Sequence, residues 1–277
     1  KIVESIVDIM FIIEPAKPKY VNQINVYGNK RTLDKVIRRE VTFAEGDAIN
    51  SELIRNTKRN IDGLRIFSNV QIDEVYVNND QIDVDIKVEE KSTGEFQVGL
   101  SVGTLEGATF VTGLKEKNIS GMGREIDLEI NTSEKNTKYN FGIVEPYVFN
   151  KKMNFLYSIT YQENDYSKKS SYNLDSFSTN AGFKYILSDD LVHTIALEYV
   201  LKDYEITDTS TVSNNIKKLE GGNADILLKN DFTYNQLNSF LRPSKGTWIK
   251  YNNIFSPVTN SDNGFIKNIL IHKKYYK

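Results

Sequence analysis

The chain has 277 residues and a formal net charge of −2, from 35 Lys plus Arg against 37 Asp plus Glu. That balance lacks the basic excess of a nucleic-acid binder. The absence of Cys excludes a disulfide frame and any thiolate site, and no run approaches the roughly 18–20 apolar residues of a transmembrane helix.

Lys1-Ile2-Val3-Glu4 reads as the middle of a strand rather than a signal peptide, so the segment is expected to start inside a longer protein. Residues 6–13 predict a short apolar strand, closed by Glu14-Pro15-Ala16-Lys17-Pro18. Residues 20–27 alternate imperfectly through Val21, Ile24 and Val26 and end at Gly28-Asn29. Thr32 suits the N-cap of a helix over 33–40, with Leu33, Val36 and Ile37 on one face. After a break at Gly46-Asp47, Asn50 or Ser51 can cap a second helix carrying Leu53, Thr57, Ile61 and Leu64. Two strands follow, 69–77 and 82–88, joined by an Asn78-Asn79-Asp80 turn. The order is β-α-α-β-β, an α+β unit of about 75 residues, enough for one small core.

Near Gly94 the hydrophobic period changes. From there the chain repeats alternating strands separated by polar turns, expected at 95–104, 108–117, 124–132, 138–145, 153–163, 176–186, 193–203, 225–235, 246–256 and 265–275. In the first, Phe96, Val98, Leu100 and Val102 share one face, while Gln97, Gly99, Ser101 and Gly103 share the other. Such long, regular strands fit an antiparallel transmembrane β-barrel, apolar side to lipid and polar side to a wet lumen. Lipid-facing candidates are Ile126, Leu128 and Ile130; Tyr139, Phe141 and Ile143; Phe155, Tyr157, Ile159 and Tyr161; and Ile195, Leu197, Tyr199 and Leu201. In the tenth strand Ile269 and Ile271 oppose Leu270 and His272, so its face is open. If the first strand runs outward, short turns such as 187–192 lie inside and long polar loops such as 164–175 and 204–224 lie outside. The 236–245 turn is longer than that rule suggests. With 16 Tyr and 14 Phe against one Trp, the aromatics suit an interfacial girdle, although soluble β-proteins are also rich in Tyr.

Little here suggests catalysis. His193 and His272 are far apart and read as ordinary strand residues, and without Cys a metal site has too few soft ligands. Glu89-Glu90, Asp83/Asp85 and Asp189-Asp190 read as solvated surface rather than acid/base pairs. Gly121-Met122-Gly123 lies between strands and opens no helix, so it is no dinucleotide loop. No catalytic, metal or cofactor residue is expected.

The order of these pieces resembles the BamA family of outer-membrane protein assembly factors, built from POTRA domains and a surface-antigen β-barrel. The matching stretches are Gly28-Asn29 with Thr32, Val36-Ile37-Arg38-Arg39-Glu40, Gly46, Leu64 to Phe67, Val88-Glu89-Glu90 and Thr93-Gly94. Further on they are Asn118 to Gly123, Glu145-Pro146-Tyr147 and Leu241-Arg242-Pro243-Ser244-Lys245-Gly246. The family usually carries Gly where Arg65 or Ile66 stands, so the chain departs from the pattern at that tight turn.

The resemblance implies residues 1–19 as the end of a preceding POTRA and linker, 20–91 as a POTRA domain, and 94–277 as the N-terminal part of a barrel. Ten strands against the family's sixteen, and an unpaired edge costly in lipid, lead to the expectation of a fragment at both ends. The resemblance further implies assembly and insertion of β-barrel clients into the bacterial outer membrane by backbone strand pairing, without enzymatic chemistry. Client-pairing would fall to Phe96, Gln97, Val98, Gly99, Leu100, Ser101, Val102 and Gly103. The glycines there either loosen the strand or merely let the barrel bend. Arg38, Arg39 and Glu40 are a candidate partner contact, or simply an exposed helix face. Implied partners are unfolded outer-membrane proteins, accessory assembly lipoproteins and outer-membrane lipid, with no nucleic acid and no cofactor. The POTRA domain would lie in the periplasm. A POTRA-barrel secretion pore of the two-partner or translocation-and-assembly type is the alternative; a passive porin and a soluble β-rich binding protein are further rivals.

Overall fold

The computed structural model describes residues 18–104, 106–239, 241–257 and 264–276. The strand expected over 6–13 lies outside the described residues. The chain divides between Lys91 and Ser92 into two compact units.

The first unit runs β1 (Lys19–Tyr27), α1 (Asp34–Arg38), β2 (Ala48–Ile49), α2 (Ser51–Gly63), β3 (Phe67–Tyr76) and β4 (Gln81–Glu90). Its sheet has the order β2-β1-β4-β3, with β1 and β4 parallel. The short β2, absent from the β-α-α-β-β reading, forms because Lys19 and Tyr20 pair with Ile49 and Ala48. Two residues are too few to leave an alternation in sequence. Asn50, rather than Ser51, caps α2, its Oδ1 accepting from the N–H groups of Glu52 and Leu53 at 3.0 and 2.9 Å. Thr57 and Ile61 are fully buried on one face of that helix. Ile61 joins Ile82, Val84, Ile86 and Val88, the alternating set of β4, in the unit's hydrophobic core cluster, while the Thr57 hydroxyl accepts the Thr42 N–H at 3.1 Å.

Thr32 does not cap α1. Leu33 holds the N-cap position without a side-chain cap bond, and Thr32 is buried with its N–H donated to Glu90 Oε1 at 2.6 Å. A carboxylate from a distant strand outcompetes the local helix end for this residue, and the helix is correspondingly shorter than 33–40. At the turn where the family favours Gly, Arg65 adopts φ 60°, in the left-handed region.

The second unit is a ten-stranded sheet of neighbouring antiparallel strands, β5 (Gly94–Gly103), β6 (Gly107–Ile119), β7 (Arg124–Ser133), β8 (Asn136–Glu145), β9 (Met153–Asp165), β10 (Tyr172–Ser188), β11 (Leu191–Ile206), β12 (Gly221–Asn235), β13 (Gly246–Ser256) and β14 (Phe265–Tyr275). Two one-turn helices, α3 (Ser167–Ser170) and α4 (Asn214–Lys217), sit in the β9–β10 and β11–β12 loops. These loops are shorter than 164–175 and 204–224 because the strands continue into them. The Tyr166, Tyr172 and Tyr204 rings, 5.1 and 5.9 Å apart, carry packing past the apolar band.

Register puts the expected apolar set on one face. Leu128 lies opposite Phe141, which lies opposite Ile159, and Ala181 pairs with both Tyr157 and Leu197. The same register resolves β14. Leu270 pairs with Tyr251 and His272 with Ile249 on the apolar face, which turns Ile269 and Ile271 to the polar side. The long 236–245 turn is templated by Asn238, whose Oδ1 accepts from Ser244 and Lys245 N–H, both at 3.0 Å.

Candidate functional site

The strand singled out in the sequence, β5, is one edge of the ten-stranded sheet among the described residues. It pairs with β6 along its length, from Gly94 opposite Glu116 to Gly103 opposite Gly107. In an antiparallel strand every second residue turns its N–H and C=O away from its neighbour. On β5 those groups lie on the side away from β6. Phe96, Val98, Leu100 and Val102 stand on the apolar face and are 56% to 87% exposed.

The base of this strand is held by side chains. The Thr93 hydroxyl bonds to Glu116 Oε1, which also accepts the Asn118 N–H at 2.8 Å, and Lys117 pairs with Glu95. Farther along, a Cβ at Gly99 would meet the Val111 side chain at an ordinary 3.8 Å, and at Gly103 nothing within 4 Å. Sterics therefore do not demand glycine at either position; what glycine adds is backbone freedom.

The polar face carries charge in pairs. Lys115 meets Glu125 at 2.6 Å, Lys202 meets Asp225 at 2.9 Å, and Lys229 pairs with Glu198. A hollow of about 390 Å³ on this face includes Asp127, Gly142, Ser158, Ala196 and Asp231 in its lining.

In the first unit, Arg38-Arg39-Glu40 is not one exposed face. Glu40 is buried and Arg39 mostly covered, with the pair 3.9 Å apart. Arg38 is exposed but bonds Asp34 and the Ile24 carbonyl. The reading of Glu89-Glu90 as solvated is likewise corrected at Glu90, whose side chain is 10% exposed. Burial pushes its carboxyl up, but the Thr32 hydroxyl and N–H, the Arg31 N–H and the Arg31 guanidinium outweigh burial and hold it below the usual carboxylate range. Asp83 and Asp85 accept from Asn22 and Asn25 at 2.7 and 3.0 Å. No local signal near Glu90 marks it, because its partners lie some 60 residues earlier. The second edge of interest is β3, at the end of the four-stranded sheet, with Val75 and Tyr76 exposed.

His193 is more constrained than an ordinary strand residue. Its ring stacks on Phe232 at 4.0 Å and its Nδ1 bonds the Tyr185 hydroxyl. Among the described residues no group of three His, Cys, Asp or Glu is placed to hold a metal ion.

Comparison with known proteins agrees with this architecture. The Omp85 superfamily domain matches residues 118–277, and the POTRA model, described as a surface antigen variable number repeat, matches 19–91. The chain is 27% identical over 281 residues to the outer membrane protein assembly factor BamA of Nitratidesulfovibrio vulgaris, covering 99% of this chain and 34% of that protein. It is 30% identical to the BamA of Neisseria meningitidis serogroup B over 145 residues, 51% of this chain and 18% of that protein. The chain thus spans about a third of the length of the first of these curated relatives. A crystal structure of Haemophilus ducreyi BamA lacking POTRA domains 1–3 superposes with a TM-score of 0.75 at 21% identity, over 90% of this chain and 50% of that one. CdiB from Acinetobacter baumannii gives 0.56 at 14% identity, over 92% and 48%. With a POTRA unit followed by a ten-stranded, apolar-faced antiparallel sheet that its family model covers over more than half its length, the chain belongs to the Omp85 superfamily.

Proposed function

We propose that the protein assembles and inserts β-barrel clients into the bacterial outer membrane, and does so without enzymatic chemistry. Residues 20–91 act as the periplasmic POTRA module, and 94–277 form the N-terminal part of a barrel in the outer membrane. The observation that carries this reading is the order of the chain, a POTRA unit followed directly by β5, a strand anchored at its base and glycine-loosened beyond. An incoming client strand can add to it by main-chain hydrogen bonds, which supply affinity with little demand on client sequence. The β3 edge of the POTRA unit offers a second surface of the same kind. The partners are unfolded outer-membrane proteins, with outer-membrane lipid around the barrel and accessory lipoproteins on the periplasmic side.

The test is to replace the wild-type protein in cells with a variant whose β5 is tied by a disulfide to the last strand of the full-length barrel. Porin levels in the outer membrane should fall and recover on reduction. Normal porin assembly with the strand demonstrably locked sinks the proposal. The POTRA-barrel secretion alternative draws on the CdiB likeness, the weaker of the two superpositions. It predicts intact porin assembly and loss of one secreted substrate in the same cells.

A further inference from the structure

The β8–β9 turn, 146–152, is built at odds with its residue types. Tyr147, Phe149 and Asn150 hold φ of 56°, 57° and 57°, the left-handed region that L side chains rarely adopt. The turn is nevertheless closed by backbone bonds, Lys151 N–H to the Val148 carbonyl at 3.2 Å and Met153 N–H to the Lys151 carbonyl at 2.7 Å. Its product is an aromatic ring placed in the open. Phe149 is 75% exposed, and its ring lies 6.4 Å from that of Phe183, which lies 5.4 Å from Phe155. Phe155 and Phe183 are paired residues of the apolar face, so Phe149 extends that face beyond the last strand residues. Two exposed lysines, Lys151 and Lys152, follow at once.

We propose that this turn is an interfacial anchor that binds anionic phospholipid headgroups of the periplasmic leaflet, with Phe149 at the acyl boundary and Lys151 and Lys152 on the phosphates. The proposal rests on the membrane reading of the barrel. A POTRA unit in the periplasm starts β5 on that side, and four alternating strands later the chain is there again at 146–152. Lipid is the occupant the surface fits, because the exposed ring continues the lipid-facing wall and the adjacent charge is of the sign that phosphates attract. Aromatic rings favour the headgroup level and lysines near an anionic surface add attraction.

The experiment places single tryptophans in the full-length protein, every native tryptophan including Trp248 being replaced by Phe, and folds it into phosphatidylcholine/phosphatidylglycerol vesicles with lipids brominated at shallow or deep acyl positions. Leu128→Trp should be quenched by deep bromine and Phe149→Trp by shallow bromine. Adding Lys151→Gln and Lys152→Gln should lower the shallow quenching in anionic vesicles and leave Leu128→Trp unchanged. Failure of both probes to quench overturns the membrane reading itself. Quenching of Leu128→Trp with none at Phe149→Trp overturns only the anchor and leaves the turn to a protein partner. If Phe149→Trp does not fold, a nitroxide on Asn150→Cys reads the same depth, shallow accessibility supporting the anchor and full aqueous accessibility overturning it.

Discussion

Gly28 and Val88 approach so closely that a Cβ on Gly28 would lie 1.9 Å from the Val88 carbonyl oxygen, and Gly28 holds φ +90°. Two constraints therefore coincide at the end of β1. No L side chain adopts that φ without strain, and none fits against that carbonyl. Gly28→Ala should destabilise the isolated unit 18–91 by more than about 1 kcal/mol, whereas Gly46→Ala, which meets no atom within 4 Å, should suffer only the backbone penalty of its φ +93°. Circular-dichroism melts of the two variants compare them; equal losses would mean the close contact contributes nothing.

Glu90 ties the β1–α1 loop to the end of β4, so its charge state enters the stability of the unit. Its folded carboxyl titrates below the ordinary value. The resulting stabilisation is present above that ordinary value, about 4.3 in an unfolded chain, and is lost as pH falls through the lower, folded one. Melting temperature should drop on acidification below about pH 4.5, and Glu90→Gln should start lower and show a shallower drop. An unchanged acid profile in Glu90→Gln would assign the effect to other carboxylates.

Leu128 and Glu129 are neighbours in β7 on opposite faces of the sheet, opposite Phe141 and Asn140 respectively. Leu128→Arg should destabilise the vesicle-inserted protein by roughly 2–4 kcal/mol if it lies near mid-bilayer, and Glu129→Gln far less. Folding titrations into lipid vesicles measure both; similar losses would mean the faces are exchanged.

Val98 and Gly99 differ in which side of β5 their backbone groups serve, since those groups alternate along an antiparallel strand. Proline removes one donor at either position. One of Val98→Pro and Gly99→Pro should weaken the β5–β6 ladder. The other should leave the barrel formed but block client assembly. Heat-modifiability on gels reports the barrel and porin level reports assembly. Two folded barrels with normal porin levels would reduce β5 to a wall strand.

Strand positions in the second unit were legible because alternation with period two follows from the pleat, and each strand repeats it over ten or more residues. The same regularity identified the apolar face before any register was known. Where both faces carried apolar groups, as with Ile269 and Leu270, the pattern had no sign. Pairing with Tyr251 then decided which residue faces outward. The helices of the first unit were legible in outline from Val36, Ile37, Thr57 and Ile61.

What local sequence determined was the period of each segment, and with it the choice of helix or strand and the face each residue takes. What only the tertiary structure decided were relationships between residues distant in the chain: Thr32 given to Glu90 instead of a helix cap, the two-residue β2, Glu40 buried within an apparently solvated run, and Phe149 laid against Phe183. The physical reason is the same in each case. A period reports a residue's own backbone geometry, whereas a hydrogen bond or ring contact across tens of residues depends on where a second, independent segment comes to rest.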